Sequence, residues 1–294
     1  MERRRRRCRP ALAAAVLLAL AGGAVPGRAA EEAGDAGCGA DGGTVPESVA
    51  GAEVSEGLEM TLADGRLVRL AGIDPPLATP DAPDLPARAR AALEAWLGAG
   101  PAGLRAVAAG PDRWGRVAAL VVRPGGEAAG AAGALLAAGL ARARPEPGLA
   151  ACFPALLAAE AGARTARRGL WAEARYAVLV PGDAAGLATQ AGGLALVEGI
   201  LHVHEGRGAF YLALGRDRWG FAAVVSRRDA ARFARAGLAL SDYEGTPVRL
   251  RGDLDGRFGP RMRLTEPEAV ESLEPGSLVE APDAKHWTAR ARPR

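Results

Sequence analysis

The stretch Gly57–Leu77, GLEMTLADGRLVRLAGIDPPL, decides the fold of this chain of 294 residues. Apolar residues alternate at Leu58, Met60 and Leu62, and alternate again over Leu67–Ile73, on either side of an Asp-Gly pair. Alternation with a period of two is typical of strands that bury one face, and an Asp-Gly pair favours a tight turn between them. The stretch therefore predicts a β-hairpin that leads into a proline-rich loop.

The N-terminus has the pattern of a secretory signal peptide. Six arginines lie within Met1–Pro10, followed by the apolar run Ala11–Ala21 and a small-residue cleavage pattern at Gly27–Ala29. The alternative is an uncleaved anchor, although the apolar run is short for a membrane span. We therefore expect a signal peptide over 1–29 and a periplasmic or secreted protein with no stable membrane span in the mature chain.

The leader also accounts for the positive charge of the whole chain. Seven arginines and one glutamate give residues 1–29 a net charge of +6, so the remainder of a chain with a total charge of +3 carries −3. Net positive charge often indicates a nucleic-acid partner. That inference fails here, and any nucleic-acid site has to be a local patch.

Two cysteines remain outside the leader, Cys38 and Cys152. In an exported protein such a pair predicts a disulfide, which in the chain-entropy model would stabilise the fold by about 4–5 kcal/mol. The alternative is two free, buried thiols.

The length of the mature chain suits two domains of modest size. Composition divides it into five parts: a flexible lead-in at 30–51, a first domain at 52–172, a linker at 173–193, a second domain at 194–275 and a mobile tail at 276–294.

In the first domain, the pattern predicts the hairpin, strands at 104–109 and 116–122, and helices at 86–97, 130–142 and 150–168. In the second, it predicts strands at 194–204, 209–214, 221–226, 246–253 and 262–265, and a helix at 229–236. Three strands, a helix and two further strands are the element order of an OB-type barrel.

Four segments of the first domain resemble the staphylococcal nuclease (thermonuclease-like, SNase) family in order and spacing: LADGRLVRLAGID at 62–74, DRWGR at 112–116, LLAAGLAR at 135–142 and ARRGLW at 166–171. The second domain resembles, more weakly, an OB-like extension found in some exported bacterial members. The resemblance implies an α+β fold in which an SNase-like OB-fold β-barrel with helices is followed by a second OB-like β-barrel domain.

The family cleaves DNA and RNA with a bound calcium ion, a glutamate as general base and two arginines on the phosphate. By resemblance those arginines are Arg69 and Arg116. Two guanidinium groups suit this role because each can donate two hydrogen bonds to phosphate oxygens. Trp114 replaces a family tyrosine, and with Arg113 it is a candidate contact for a base or sugar; packing on the barrel is the alternative.

The acidic residues of the family centre are largely missing. Leu58 stands at the position of one calcium-ligating aspartate, Asp74 retains the second, and Leu77 stands at the position of the general base. Calcium prefers six to eight oxygen ligands, and loss of a general base typically costs about 10²- to 10⁴-fold in rate. Calcium is therefore expected as a cofactor only if activity persists.

Two further positions bear on ligand binding. Pro145 and Pro147 replace two family tyrosines that contact the nucleotide, which removes stacking worth about 1–3 kcal/mol per base. His202 and His204 alternate on one predicted strand, but with no acidic or cysteine partner at suitable spacing they are better interpreted as a solvated face than as metal ligands.

The sequence therefore predicts an exported thermonuclease-like protein whose calcium-dependent phosphodiesterase centre is impaired or lost. Its expected role is that of a pseudoenzyme that binds nucleic acid, another anionic polymer or an envelope protein. The alternative is an active nuclease with rearranged acids, recruited from Glu56, Glu59, Asp81 or Asp84. A purely structural interaction protein is the third interpretation.

Overall fold

The computed structural model describes residues 47–127, 129–215, 221–257 and 259–278. The predicted signal peptide, Cys38 and most of the predicted tail lie outside these ranges, so the Cys38–Cys152 disulfide stays a prediction. Among the described helices, none has the length and apolar character needed to cross a membrane.

The first half of the described chain contains a six-stranded mixed sheet, a separate two-stranded sheet and three helices. Its elements are β1 (Glu47–Ser48), β2 (Glu53–Val54), β3 (Glu59–Thr61), β4 (Leu67–Leu70), β5 (Ile73–Asp74), α1 (Leu85–Gly98), β6 (Gly103–Ala106), β7 (Arg116–Val122), α2 (Gly130–Ala137), β8 (Arg142–Ala143) and α3 (Phe153–Thr165). The two-stranded sheet is formed by β5 and β8.

The second half is mainly β-structure. Its elements are α4 (Ala184–Gln190), β9 (Leu194–Glu205), β10 (Ala209–Leu214), β11 (Ala222–Ser226), α5 (Arg227–Arg235), β12 (Pro247–Asp255), β13 (Arg261–Arg263) and β14 (Val270–Ser272). Short 3-10 turns lie at Gly169–Ala172, Ala174–Tyr176, Leu240–Tyr243 and Pro267–Ala269.

The predicted hairpin is confirmed. β3 pairs antiparallel with β4, with Met60 opposite Val68, and the turn between them contains Gly65 at φ +84°. Leu58, Met60 and Leu62 are all buried, as their alternation predicts. Leu58 precedes β3 rather than belonging to it, and its φ of +58° is unusual for a bulky residue.

The first sheet has the strand order β1-β6-β7-β4-β3-β2, with β4 and β7 parallel. Both edge strands come from one short segment, because β1 pairs with β6 and β2 pairs with β3. A turn at 49–52 separates them, closed by a hydrogen bond from the Ala52 N–H to the Val49 carbonyl. The segment Glu47–Val54 therefore joins the two edges of the sheet, and β1 lies within the range assigned to the lead-in.

Five strands of the second half form a closed barrel. The pairings run β12-β9-β10-β11-β13 and return from β13 to β12. β11 and β13 are parallel, and the other neighbours in this ring are antiparallel. The α+β class and a barrel consistent with an OB-like arrangement are thus observed. The range predicted as a linker contains α4, whose first turn is capped by the Asp183 side chain on the Gly186 N–H.

A buried ion pair joins the two halves. The carboxylate of Glu160 on α3 lies 2.5 Å from the guanidinium of Arg251 on β12, with side-chain exposures of 0% and 2%. Arg251 also donates to the carbonyl of Ala143, and Glu160 accepts from the Ala143 N–H. These bonds fix β8 between the halves, and with it the segment 144–147 that lines the candidate site.

Candidate functional site

A cleft of about 540 Å³ lies where the β3–β4 hairpin, the turn before β7 and the segment 144–147 meet. The structure brings Arg69, Asp74, Trp114 and Arg116 together around it, as the sequence predicts. Leu58 also lines the cleft. Pro145 and Pro147 form part of its wall, at the positions where the family resemblance places tyrosines.

Arg69 is held by an internal carboxylate. It projects from β4, and its two terminal nitrogens donate to the two oxygens of Glu146 at 2.8 and 2.6 Å. Glu146 also accepts the Gly72 N–H at 3.2 Å, and its side chain is 9% exposed. Two prolines flank Glu146 and restrict its backbone. The first predicted phosphate-binding group therefore already has an anion bound to it.

Arg116, the first residue of β7, is held in the same manner. Its guanidinium donates to Asp112 through Nε at 2.9 Å and Nη2 at 2.8 Å, and to Glu59 through Nη1 at 2.5 Å. The hydrogen bonds that Arg116 donates to Asp112 and, to a smaller extent, to Glu59 raise the pKa of Arg116 further above its ordinary value. Both predicted phosphate-binding arginines thus carry carboxylates of the chain itself.

Asp112 has the most strongly perturbed carboxyl group of the cleft. Desolvation raises its pKa, but hydrogen bonds from the Arg116 side chain and from the N–H groups of Arg116 and Trp114 outweigh this and lower the pKa from 3.8 to about 2. The carboxylate is therefore ionised throughout the physiological range. It is an acceptor here and cannot serve as a general acid near neutral pH.

Asp74, the one retained metal-ligand candidate, is bound by two arginines. Arg142 lies 2.8 Å from one of its oxygens and Arg144 lies 2.9 Å from the other. Arg144 also pairs with Asp253 of β12 at 2.9 Å. Desolvation lowers the pKa of Arg144, but Asp253 and Asp74 raise it by a larger amount. A calcium ion at Asp74 would have to replace two guanidinium groups.

The residues present do not fit a calcium site. Leu58, at the other ligand position, is 1% exposed and belongs to the hydrophobic core. Glu59 is engaged by Arg116, while Glu56 and Asp81 are exposed and do not line the cleft. Within the described parts of the chain, no group of three His, Cys, Asp or Glu side chains is placed to hold a metal ion.

The position predicted for the general base lies away from the cleft. Leu77 is 57% exposed and does not line it. The Tyr176 hydroxyl accepts the Leu77 N–H at 2.6 Å and donates to the Leu77 carbonyl at 3.0 Å. Asp84 lies further along, at the start of α1 and beside Arg88 at 4.0 Å. None of these positions supplies a base to a substrate in the cleft.

Trp114 is an exposed aromatic residue at the mouth of the cleft. It is 58% exposed, and the guanidinium carbons of Arg113 and Arg116 lie 3.9 and 4.7 Å from its ring centroid. This geometry is that of a cation–π cluster, and it leaves most of the indole in contact with solvent. Arg113 is exposed and does not line the cleft, so its route to a ligand is through Trp114.

One histidine of the pair, His202, contacts an acidic residue, Glu244, that the sequence pattern did not identify. The Nδ1 of His202 lies 2.9 Å from Glu244, at the end of the turn that follows α5. A backbone hydrogen bond from Val203, and then the hydrogen bond from His202, lower the pKa of Glu244. His202 and Glu244 therefore form a surface contact between β9 and this turn.

Four residues that determine the charge of the cleft were not identified from the sequence: Glu146, Arg142, Arg144 and Asp253. The first three lie in the segment RARPE at 142–146, where the resemblance involves only Arg142, as the end of the segment LLAAGLAR, and Pro145, as the position of a family tyrosine. The available signal was the alternation of Arg142 and Arg144, followed by Glu146 between two prolines. Asp253 lies 109 residues from Arg144, and no local pattern connects the two.

Comparison with known proteins adds no relative to this picture. The chain matches no family model, and no curated protein matches it significantly.

Proposed function

We propose that this protein is an exported, non-catalytic binding module with a thermonuclease-like fold. In this proposal both halves derive from OB-type barrels, and the phosphodiesterase centre of the first has been lost. The proposed ligand is nucleic acid or another anionic polymer. Calcium has no role in this proposal, and the Cys38–Cys152 disulfide that the sequence predicts would be consistent with a periplasmic or secreted location.

The observation that carries the proposal is the internal pairing of Arg69, Arg116 and Asp74, the three charged groups that the resemblance assigns to phosphate and metal binding. Arg69 is bound by Glu146, Arg116 by Asp112 and Glu59, and Asp74 by two arginines. Phosphodiester cleavage requires a metal or base to activate water and free cations to stabilise the developing charge. Here the cations are neutralised and the acids are not available to a metal.

The feature that supports binding is the exposed end of the cleft. Trp114 is 58% exposed, and base–aromatic stacking contributes about 1–3 kcal/mol per base. The guanidinium of Arg113 lies over the ring, 3.9 Å from its centroid. An arginine on an indole suits a ligand that combines a flat ring with a phosphate.

The test combines cleavage and binding on the full chain. Single-stranded DNA is incubated with the protein with and without calcium, and binding of a labelled oligothymidylate is measured over a range of salt concentrations. We expect no cleavage and salt-dependent binding that weakens when Trp114 is replaced by alanine. The matched control is Arg90→Ala on α1, which lies outside the cleft and should bind as the wild type does.

Two outcomes would reject the proposal. Calcium-dependent cleavage that disappears in Arg116→Ala would establish an active nuclease with rearranged acids. Absence of oligothymidylate binding at low salt would remove the nucleic-acid function.

A further inference from the structure

A second concave surface lies beside the cleft, on the barrel of the second half. It is a groove of about 1240 Å³ formed by the end of α4, the end of β12, the β12–β13 turn and β13. Asp253 lines this groove, and its ion-pair partner Arg144 lines the cleft. The two concave surfaces are therefore neighbours, separated by a single ion pair.

The groove carries three exposed arginines. Arg261 and Arg263 flank the buried Met262 on β13, so their side chains leave the same face of the strand about 6.6 Å apart. Arg257 lies in the turn that precedes them. A row of exposed cations along one strand is suited to a ligand with regularly spaced negative charges.

These arginines are less tightly bound by carboxylates than Arg69 and Arg116 of the cleft. The side chain of Arg263 is 73% exposed, and its nearest carboxylate partner is Asp229 at 3.5 Å. In the described chain, Arg257 and Arg261 form no ion pair with a carboxylate. Arg69 and Arg116, by contrast, are 29% and 25% exposed and are held by bonds of 2.5 to 2.9 Å.

The acids that line the groove are already engaged. Both oxygens of Asp253 accept from Arg144, at 2.9 and 3.0 Å. One oxygen of Asp255 accepts the Arg257 N–H at 2.8 Å. Within the described residues, the groove therefore presents the unpaired guanidinium groups of Arg257 and Arg261, and that of Arg263 with one 3.5 Å ion pair, next to acids that already accept hydrogen bonds.

We propose that this groove is the principal phosphate-binding surface of the protein, and that it binds the backbone of a linear phosphodiester polyanion. The inference rests on the proposed binding function and deepens it, because it assigns the main contacts to the second barrel rather than to the cleft. In the part of the chain that the structure describes, Arg261 has no ion pair to lose on binding a phosphate and Arg263 has only its 3.5 Å contact with Asp229, whereas Arg69 would first have to release Glu146. A ligand that continued past Arg144 would reach Trp114 at the mouth of the cleft.

The experiment measures binding of labelled oligothymidylates of increasing length to the full chain and to the double variant Arg261→Gln/Arg263→Gln. We expect several-fold weaker binding by the variant and a salt slope, in log affinity against log salt, that is smaller by about 1.4, since each lost phosphate contact on a single strand accounts for about 0.7. Arg90→Gln, an exposed arginine on α1, is the matched control and should change neither quantity. Far-UV circular dichroism and thermal unfolding confirm that the variants fold.

A competition arm tests the ligand chemistry. Inorganic polyphosphate should displace the oligothymidylate, which would support recognition of phosphate groups, and a higher affinity for oligothymidylate than for polyphosphate would identify nucleic acid as the source. Equal displacement by polyglutamate of matched charge would overturn phosphate recognition.

The outcomes also separate this inference from the proposed function. If the wild type binds but the double variant binds with unchanged affinity and salt slope, the groove is not the site and the binding function stands. If the wild type itself fails to bind at low salt, both are rejected.

Discussion

The guanidinium of Arg69 and the carboxylate of Glu146 form a two-point ion pair, with hydrogen bonds of 2.8 and 2.6 Å between residues 77 positions apart. The geometry is that by which an arginine binds a phosphate, with a carboxylate in the phosphate's place. Glu146 also accepts the Gly72 N–H, so a backbone donor contributes to the same anion subsite. The chain thus fills with its own side chain the position where a ligand anion would bind.

Removal of this internal anion should open the subsite. In Glu146→Ala, Arg69 and the Gly72 N–H lose their acceptor, so we expect inorganic phosphate to raise the melting temperature of the variant and leave that of the wild type unchanged. Without phosphate, the variant should be less stable by about 1–3 kcal/mol, because partly buried donors lose their partner. Calorimetry and urea unfolding measure the two effects.

Glu94→Ala is the control for the Glu146 variant, since it removes an exposed glutamate that pairs with Arg90 on the same helix. Its stability should change by less than about 0.5 kcal/mol and should not respond to phosphate. A Glu146→Ala protein that also ignores phosphate would show that Arg69 is structural only.

Replacement of Leu58 and Leu77 by the acids that the resemblance assigns to these positions should not produce nuclease activity. In Leu58→Asp/Leu77→Glu, Asp74 remains bound by its two arginines and residue 77 remains outside the cleft, so we expect no calcium-dependent cleavage of single-stranded DNA. Leu58→Asp alone should cost about 2–5 kcal/mol of stability, because a core side chain that is 1% exposed becomes polar. Leu77→Glu, at a position that is 57% exposed, is the control and should be near neutral.

Cleavage by the double variant that requires calcium would contradict this expectation. It would show that the arginines release Asp74 when a second carboxylate is present.

The buried ion pair between Glu160 and Arg251 should contribute more to the free energy of unfolding than an exposed ion pair does. Glu160→Ala removes the carboxylate that lies 2.5 Å from Arg251, which is 2% exposed, and leaves Glu271 at 3.9 Å as the next one. Loss of one partner of a buried ion pair typically costs about 3–5 kcal/mol. Urea unfolding monitored by far-UV circular dichroism measures the loss. Glu205→Ala, which removes an exposed partner of Arg227, should change stability by less than about 1 kcal/mol. Equal effects of the two substitutions would contradict a special role for the junction.

Asp112 should make stability depend on pH in a narrow acidic window. Because its pKa falls from 3.8 to about 2 on folding, the contribution of this carboxylate to stability is fully present above pH 3.8. It is lost as the pH falls through about 2, where the folded protein also takes up the proton. The difference in unfolding free energy between the wild type and Asp112→Asn should therefore shrink over this window, measured by urea unfolding at each pH. A difference that stays constant from pH 5 to pH 2 would contradict the assignment.

Local patterns predicted the elements well because their causes are local. The hairpin followed from alternation and an Asp-Gly turn, and β7 and β10 have the predicted bounds. The helix predicted over 130–142 ends earlier, at Ala137, since Gly139 has a φ of +68° and a Cβ there would lie 2.2 Å from the Arg168 carbonyl. That close approach is a tertiary contact and leaves no trace in the helical pattern.

The sequence predicts which residues line the candidate site, but it does not predict that carboxylates of the chain pair with its arginines. The resemblance placed Arg69, Arg116, Asp74 and Trp114 together, and the structure does so too. Of the carboxylates that neutralise the arginines, Asp112 lies in the same DRWGR motif as Arg116, but Glu59 and Glu146 lie 57 and 77 residues from the arginines that they bind. Pairing over such separations depends on how the sheet and the segment 144–147 pack, which spacing along the chain does not encode.

The segment Glu47–Val54, which supplies a strand to each edge of the first sheet, bears on the solubility of the protein. Unpaired sheet edges are templates for strand addition and aggregation. Proteolysis within this segment would free β6 and β3 at once, since β1 covers one and β2 covers the other. Cleavage within these eight residues should therefore favour association of the protein through its two sheet edges.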